Sequence, residues 1–171
     1  MNAELFATSY RSGADFSDCG CYRYRLWRAW DANLPVLGMC LMNPSLANDI
    51  ADDPTIDRQV RRAQMLGYGA LEVVNVFALV EQDSTKLAGR VAHGADIVGP
   101  LNDGWILRVA LQCGALICGW GVPGHHLLNR GPLVLGMLSR HNILPYALGI
   151  NADGSPKHPL YVRYNAVPIP F

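Results

Sequence analysis

At 171 residues, half of them apolar and 16% charged, with a formal net charge of zero, the chain has the size and composition of one globular domain with its own core. That composition excludes an intrinsically disordered chain, and zero net charge gives no whole-molecule attraction to nucleic acid. Twelve of the fourteen cations are arginines, so any phosphate contact has to come from a local patch.

The N-terminal stretch has no charged leader followed by an apolar core, so no secretory signal is expected, and no segment reaches membrane-spanning length. Of the five cysteines, Cys40, Cys113 and Cys118 fall in apolar segments, and the set reads as reduced thiols of a cytoplasmic protein. Cys19 and Cys21 flank a single glycine without further ligands nearby, so no metal site is expected.

In chain order, residues 1–18 read as a polar, irregular segment. Residues 22–30, YRYRLWRAW, alternate as a strand, with Tyr22, Tyr24, Leu26 and Trp30 facing one way and Arg23, Arg25 and Trp27 the other. A turn at 31–35 leads into residues 36–45, VLGMCLMNPS, an apolar run that reads as a strand buried on both faces. These two strands are expected to pair as an antiparallel hairpin. Pro44 cannot donate to a ladder and biases Asn43 towards extended geometry, which ends the strand there.

A polar loop carrying Asp49, Asp52 and Asp53 comes next, with Asp53 as N-cap and Pro54 at the first helical position. Ile56, Val60 and Ala63 recur at helical spacing, Arg58, Arg61 and Arg62 take the remaining faces, and Gly67 ends the helix. Residues 70–79, ALEVVNVFAL, form a second buried strand with Asn75 inside it, and 81–100 are a long, weakly patterned connection. Asn102 is placed to cap a helix whose stripe is Trp105, Ile106, Val109 and Cys113. A short third strand at 115–119, a glycine-rich turn, a helix near 132–141 and a fourth strand at 144–149 complete the set. Four buried strands separated by helical segments imply a single α/β domain: a parallel sheet with helices on both faces.

In such a sheet ligands bind at the carboxyl ends of the strands. Asn43 follows the first strand, Asn75 lies towards the end of the second, Gly119–Gly121 follow the third and His158 follows the fourth. An asparagine offers a donor and an acceptor, enough to orient a water or read the edge of a nucleobase. A histidine can donate to charge developing on a leaving group. Structural roles compete: Asn43 as a turn cap, Asn75 as a satisfied core amide, His158 as a turn residue before Pro159, and His125-His126 as a surface pair. Gly119 to Gly124 spells G-x-G-x-x-G, but it follows the third strand, contains Pro123 and meets Ile143-Leu144 where an acidic residue belongs, which argues against a dinucleotide site.

The stretches MNPS, DDPTI, GYG, VNVFAL, GPLND, WG and DGSPKHPLY, in that order, resemble an uncharacterised bacterial and phage family, domain of unknown function 1643. LMNPS, VVNVFAL, LICGWG and HPLYV also resemble the ordered motifs of the uracil-DNA glycosylase superfamily. That second resemblance implies a three-layer α/β/α fold, its four-stranded parallel sheet in the order 2-1-3-4, preceded here by an N-terminal antiparallel strand or hairpin. It implies that Asn43 positions the attacking water, Pro44 shapes its turn, Asn75 reads the base and His158 bonds the departing base. Ser45, Phe77, Trp120, Gly121 and Tyr161 would complete the substrate site, with Arg58 and Arg163 near a nucleic-acid backbone. The partner would be a nucleobase, a nucleotide or single-stranded nucleic acid, the reaction N-glycosidic hydrolysis, and no cofactor would be needed. Two positions depart from the pattern: residues 46–56 hold no aromatic to stack on a flipped base, and Leu160-Tyr161 stand where Ser-Pro is usual. A non-catalytic nucleotide or nucleic-acid binder on the same fold is the competing expectation, and a protein-interaction module a third.

Overall fold

A computed structural model describes residues 11–45, 47, 53–122, 127 and 129–171. Asp49, Asp52, Pro123, Gly124, His125 and His126, with the first ten residues, lie outside the described residues. The strands are β1 (Arg11–Phe16), β2 (Arg23–Ala29), β3 (Val36–Leu41), β4 (Ala70–Asn75), β5 (Ala115–Cys118), β6 (Tyr146–Ala147) and β7 (Ile169–Pro170). The helices are α1 (Pro54–Met65), α2 (Leu87–Ala92), α3 (Asn102–Gln112) and α4 (Arg130–Arg140). No helix among the described residues is long and apolar enough to cross a membrane.

The strands form one mixed sheet in the order β1-β2-β4-β3-β5-β6-β7. Its centre, β4-β3-β5-β6, is parallel, and β1, β2 and β7 add antiparallel pairs at the two edges. The sheet is therefore larger than four strands and a hairpin. β1 arises within the segment expected to be irregular, and β2 pairs with β1 and β4 rather than with β3. β3 cannot accept it, because both of its edges are already taken by β4 and β5. Instead the chain crosses at Gly69, whose carbonyl accepts from the backbone N–H groups of Trp30 and Asp31. A Cβ on Gly69 would sit 1.9 Å from the Asp31 carbonyl oxygen, so the crossing needs glycine.

Period-two alternation sends neighbouring residues of each strand to opposite faces. Leu37, Met39, Leu71, Val73 and Ile117 pack with Ile56, Val60 and Ala63 of α1. Cys40, Val74, Leu116 and Cys118 pack with Ile106 and Val109 of α3 and with Val134 and Leu138 of α4. Asp53 accepts from the Ile56 N–H at 2.9 Å with Pro54 next, as its N-cap role requires. Asn102 is not a cap: it is the first residue of α3, and its amide reaches the carbonyls of Asn75 (2.9 Å) and Val76 (3.2 Å).

The ladder between β1 and β2 carries one irregularity. Asp15 pairs with Arg25 and Phe16 with Arg23, leaving Tyr24 as the extra residue of a β-bulge. The alternation flips there. Tyr24 stacks on Trp105 of α3, with Arg25 over the same ring, whereas Arg23 turns towards the α1 face. The expected single face for Arg23, Arg25 and Trp27 is thus broken at the bulge.

Candidate functional site

At the carboxyl ends of the parallel strands a cavity of about 320 Å³ opens on the α1 face, near the small end of the ~300–1,000 Å³ usual for ligand pockets. Asn43, Ser45, Asn75, Trp120, Gly121, His158 and Tyr161 all line it, although they span more than a hundred residues of sequence. Pro44 does not reach it; it is buried, and its carbonyl accepts from the Glu81 N–H at 3.0 Å and from the Asn43 amide. Phe77 sits in the core against the α3/α4 layer, behind the cavity.

Asn43 lies two residues beyond β3, and its Nδ2 donates to the carbonyls of Pro44 (3.0 Å) and Glu81 (2.6 Å). Both amide hydrogens are committed, so the side-chain oxygen is the atom left to act in the cavity. Asn75, on the next strand, is 2% exposed, and its Nδ2 has no hydrogen-bond partner. Its backbone carbonyl is held from behind by Asn102. A buried donor left unpaired costs about 1–3 kcal/mol, and one that lines a cavity has a place for a partner to come from.

His158 enters from the far side, between the third and fourth parallel strands. It caps a single 3₁₀ turn (Pro159–Tyr161), its Nδ1 accepting from the Leu160 N–H at 3.3 Å. An Nδ1 that accepts places the remaining ring proton on Nε2 and makes the ring neutral. Burial lowers its pKa below 6.5, partly opposed by Asp53, which keeps that state at neutral pH. The approach depends on glycines: a Cβ on Gly119 would lie 2.7 Å from Pro159 Cδ, and Gly121 has φ +73° beside His158. Trp120 packs edge-on to Phe171, with Gly131 of α4 leaving room for its indole.

Arginines fix this arrangement. Arg62, fully buried, donates to the carbonyls of Pro159 (3.2 Å), Val162 (3.0 Å) and Arg163 (2.9 Å). Arg58 donates to the Val162 carbonyl at 2.9 Å and lies 4.2 Å over the Tyr164 ring. Arg58 is thus a clamp on the segment that carries His158, and neither it nor the exposed Arg163 lines the cavity.

A family model described as "Protein of unknown function (DUF1643)" matches residues 23–160. The chain belongs to the DUF1643 family. No curated protein and no solved structure matches it.

Sequence reasoning misses three charged residues of this DUF1643 site: Arg23, Asp53 as a lining residue, and Glu81. Glu81 is held by Arg90 at 2.9 and 3.2 Å, which keeps its carboxyl below the usual range. The sequence pattern accounts for Asp53 by its cap alone. Arg23 could be found only by locating the bulge, and YRYRLWRAW alternates without interruption.

Proposed function

We propose that the cavity binds a nucleobase, as part of a nucleoside, nucleotide or single strand, and hydrolyses its N-glycosidic bond. The observation that carries this is the unpaired, buried Nδ2 of Asn75 in a cavity that also receives a neutral His158. Asn75 pairs with the base edge. The Asn43 oxygen accepts one hydrogen of a water and aims its lone pair at the sugar carbon. As the water oxygen bonds to that carbon, the carbon–nitrogen bond breaks and the base leaves with its electron pair. His158 Nε2–H donates a hydrogen bond to the oxygen on which that charge develops, the role of preorganised donors in general. Asp53, one oxygen of which caps α1, offers the other to the proton the water gives up.

The sheet order β4-β3-β5-β6, which is 2-1-3-4 when only the parallel strands are counted, supports a glycosylase-like reading of the fold. A non-catalytic binder is favoured by one feature: none of residues 46–56 is aromatic, so a stacked base would have to use Trp120 or Tyr161.

A panel of nucleosides, nucleotides and oligonucleotides with uracil and other altered bases, scored for released base and abasic sites, tests the reading. Asn43→Ala should abolish release and leave affinity nearly unchanged, since water positioning acts on the reaction rather than on ground-state binding. Asn75→Ala should weaken binding by about 1–3 kcal/mol. Binding without release from any substrate would hand the site to the binder reading.

A further inference from the structure

Arg23 is a charged residue of the cavity that the proposed reaction does not use. It is 3% exposed, it lines the cavity beside β4, and β4 carries Asn75. Its Nη1 donates to the Ala47 carbonyl, and its Nε is buried without a partner. Among the described residues no carboxylate stands within ion-pair distance of it. The carboxylates that line the cavity are engaged elsewhere, Glu81 by Arg90 and Asp53 by the first turn of α1, with Asp53 acting on Arg23 only at longer range. Burial pulls its pKa down to about 10, which leaves it charged at neutral pH. A buried cation without a close counter-ion is costly, and an anionic ligand removes that cost.

An arginine cannot accept a hydrogen bond, so whatever meets it has to present acceptors. Asn75, on the neighbouring strand, also offers an unpaired donor, so the buried lining holds two donors on adjacent strands among apolar side chains. Neither donor lies at the mouth of the cavity, where the exposed lining residues are Gln82, Ser84, Val122 and Tyr161. We infer that Arg23 is a specificity-determining residue, and that the site selects a base whose inward edge carries anionic oxygen, a carboxylate or an ionised imide, over one that presents an amino group.

This rests on the nucleobase reading, and one experiment separates the two. Isothermal titration of the full chain with carboxyuracil, xanthine, uracil and cytosine should rank an anionic base about tenfold or more above cytosine, the worth of one charge-assisted contact. Arg23→Met should erase that ranking while uracil still binds, and Arg23→Lys should restore part of it. If cytosine binds as well as both anions, or if Arg23→Met weakens every probe alike, the inference is overturned and the nucleobase reading stands. If no base binds the wild type, both fall. The wild-type ranking and Arg23→Lys decide the matter should Arg23→Met fail to fold.

Discussion

On the face that carries α3 and α4, Cys40, Val74, Leu116 and Cys118 pack against Ile106, Val109, Val134 and Leu138. On the face that carries α1, the apolar layer gives way near the carboxyl ends of the strands to Arg23, Gln59, Arg62 and Asn75, all buried. The same strands serve both faces, so the difference lies in what covers them. Apart from Asn102 and Arg130 at their first positions, which bond carbonyls at the end of β4, α3 and α4 cover the sheet with side chains that need no hydrogen bonds. The α1 face is finished by loops, whose backbone carbonyls have no strand to pair with. Arginine, with five donors, satisfies several such carbonyls from one position. One face therefore holds the sheet together, and the other holds the site open.

Removing the clamp should break this division most severely. Arg62→Met takes one charged donor away from each of the Pro159, Val162 and Arg163 carbonyls, and hydrogen bonds to charged groups are worth about 1.5–3 kcal/mol each. A loss of about 3–5 kcal/mol is expected in denaturant unfolding, with ligand affinity reduced as well, because the same segment carries His158. Full affinity in a folded Arg62→Met protein would mean that the clamp does not position the site.

The matching change on the other face should cost stability alone. Leu138 is fully buried among the α3/α4 contacts, and Leu138→Ala should destabilise by about 3 kcal/mol through lost burial and the cavity left behind. Affinity for a nucleobase should not change at temperatures where the variant stays folded. Titration of the variant below its unfolding transition checks this.

The sequence carries the parallel centre and the residues at its carboxyl ends, because buried strands announce themselves as apolar runs and Pro44 marks an end. It does not carry the edges. β1 is polar, and β7 is two residues long and contains a proline, so neither has a pattern to read. The pattern puts Arg62 on an outer helix face, since a charge on an amphipathic helix is usually solvated; only the fold shows that the tail's carbonyls meet it there. α2 is hidden for a related reason, as its one buried residue, Leu87, leaves no periodic stripe. The cavity residues at the strand ends and motifs are legible, but Thr55, Gln82 and Ser84 from the connecting segments are not, nor are the charged residues, because charge acquires a direction only from tertiary contacts.

The two faces should also part company with pH, and this is the mildest of the expected effects. His158 is neutral in the fold, and its pKa is lowered from 6.5 chiefly by burial. Below pH 6.5 the unfolded chain takes up a proton that the folded chain refuses, so stability falls as pH drops from there towards the folded pKa. His158→Gln should flatten that limb, and the two proteins should run parallel above about pH 7. The α3/α4 face responds at the other end of the scale. Burial raises the Cys40 thiol to about 12 from 9.0, and Cys118 also rises, so above pH 9.0 the unfolded chain loses protons that the folded one keeps. Stability should then decline as pH increases, and Cys40→Ala should soften that decline without touching the acid limb. Unfolding midpoints measured across the pH range for wild type and both variants check the sign at each end. An acid limb unchanged in His158→Gln would mean that the ring is not held neutral, and with it would go the Nε2–H donor assigned to the departing base.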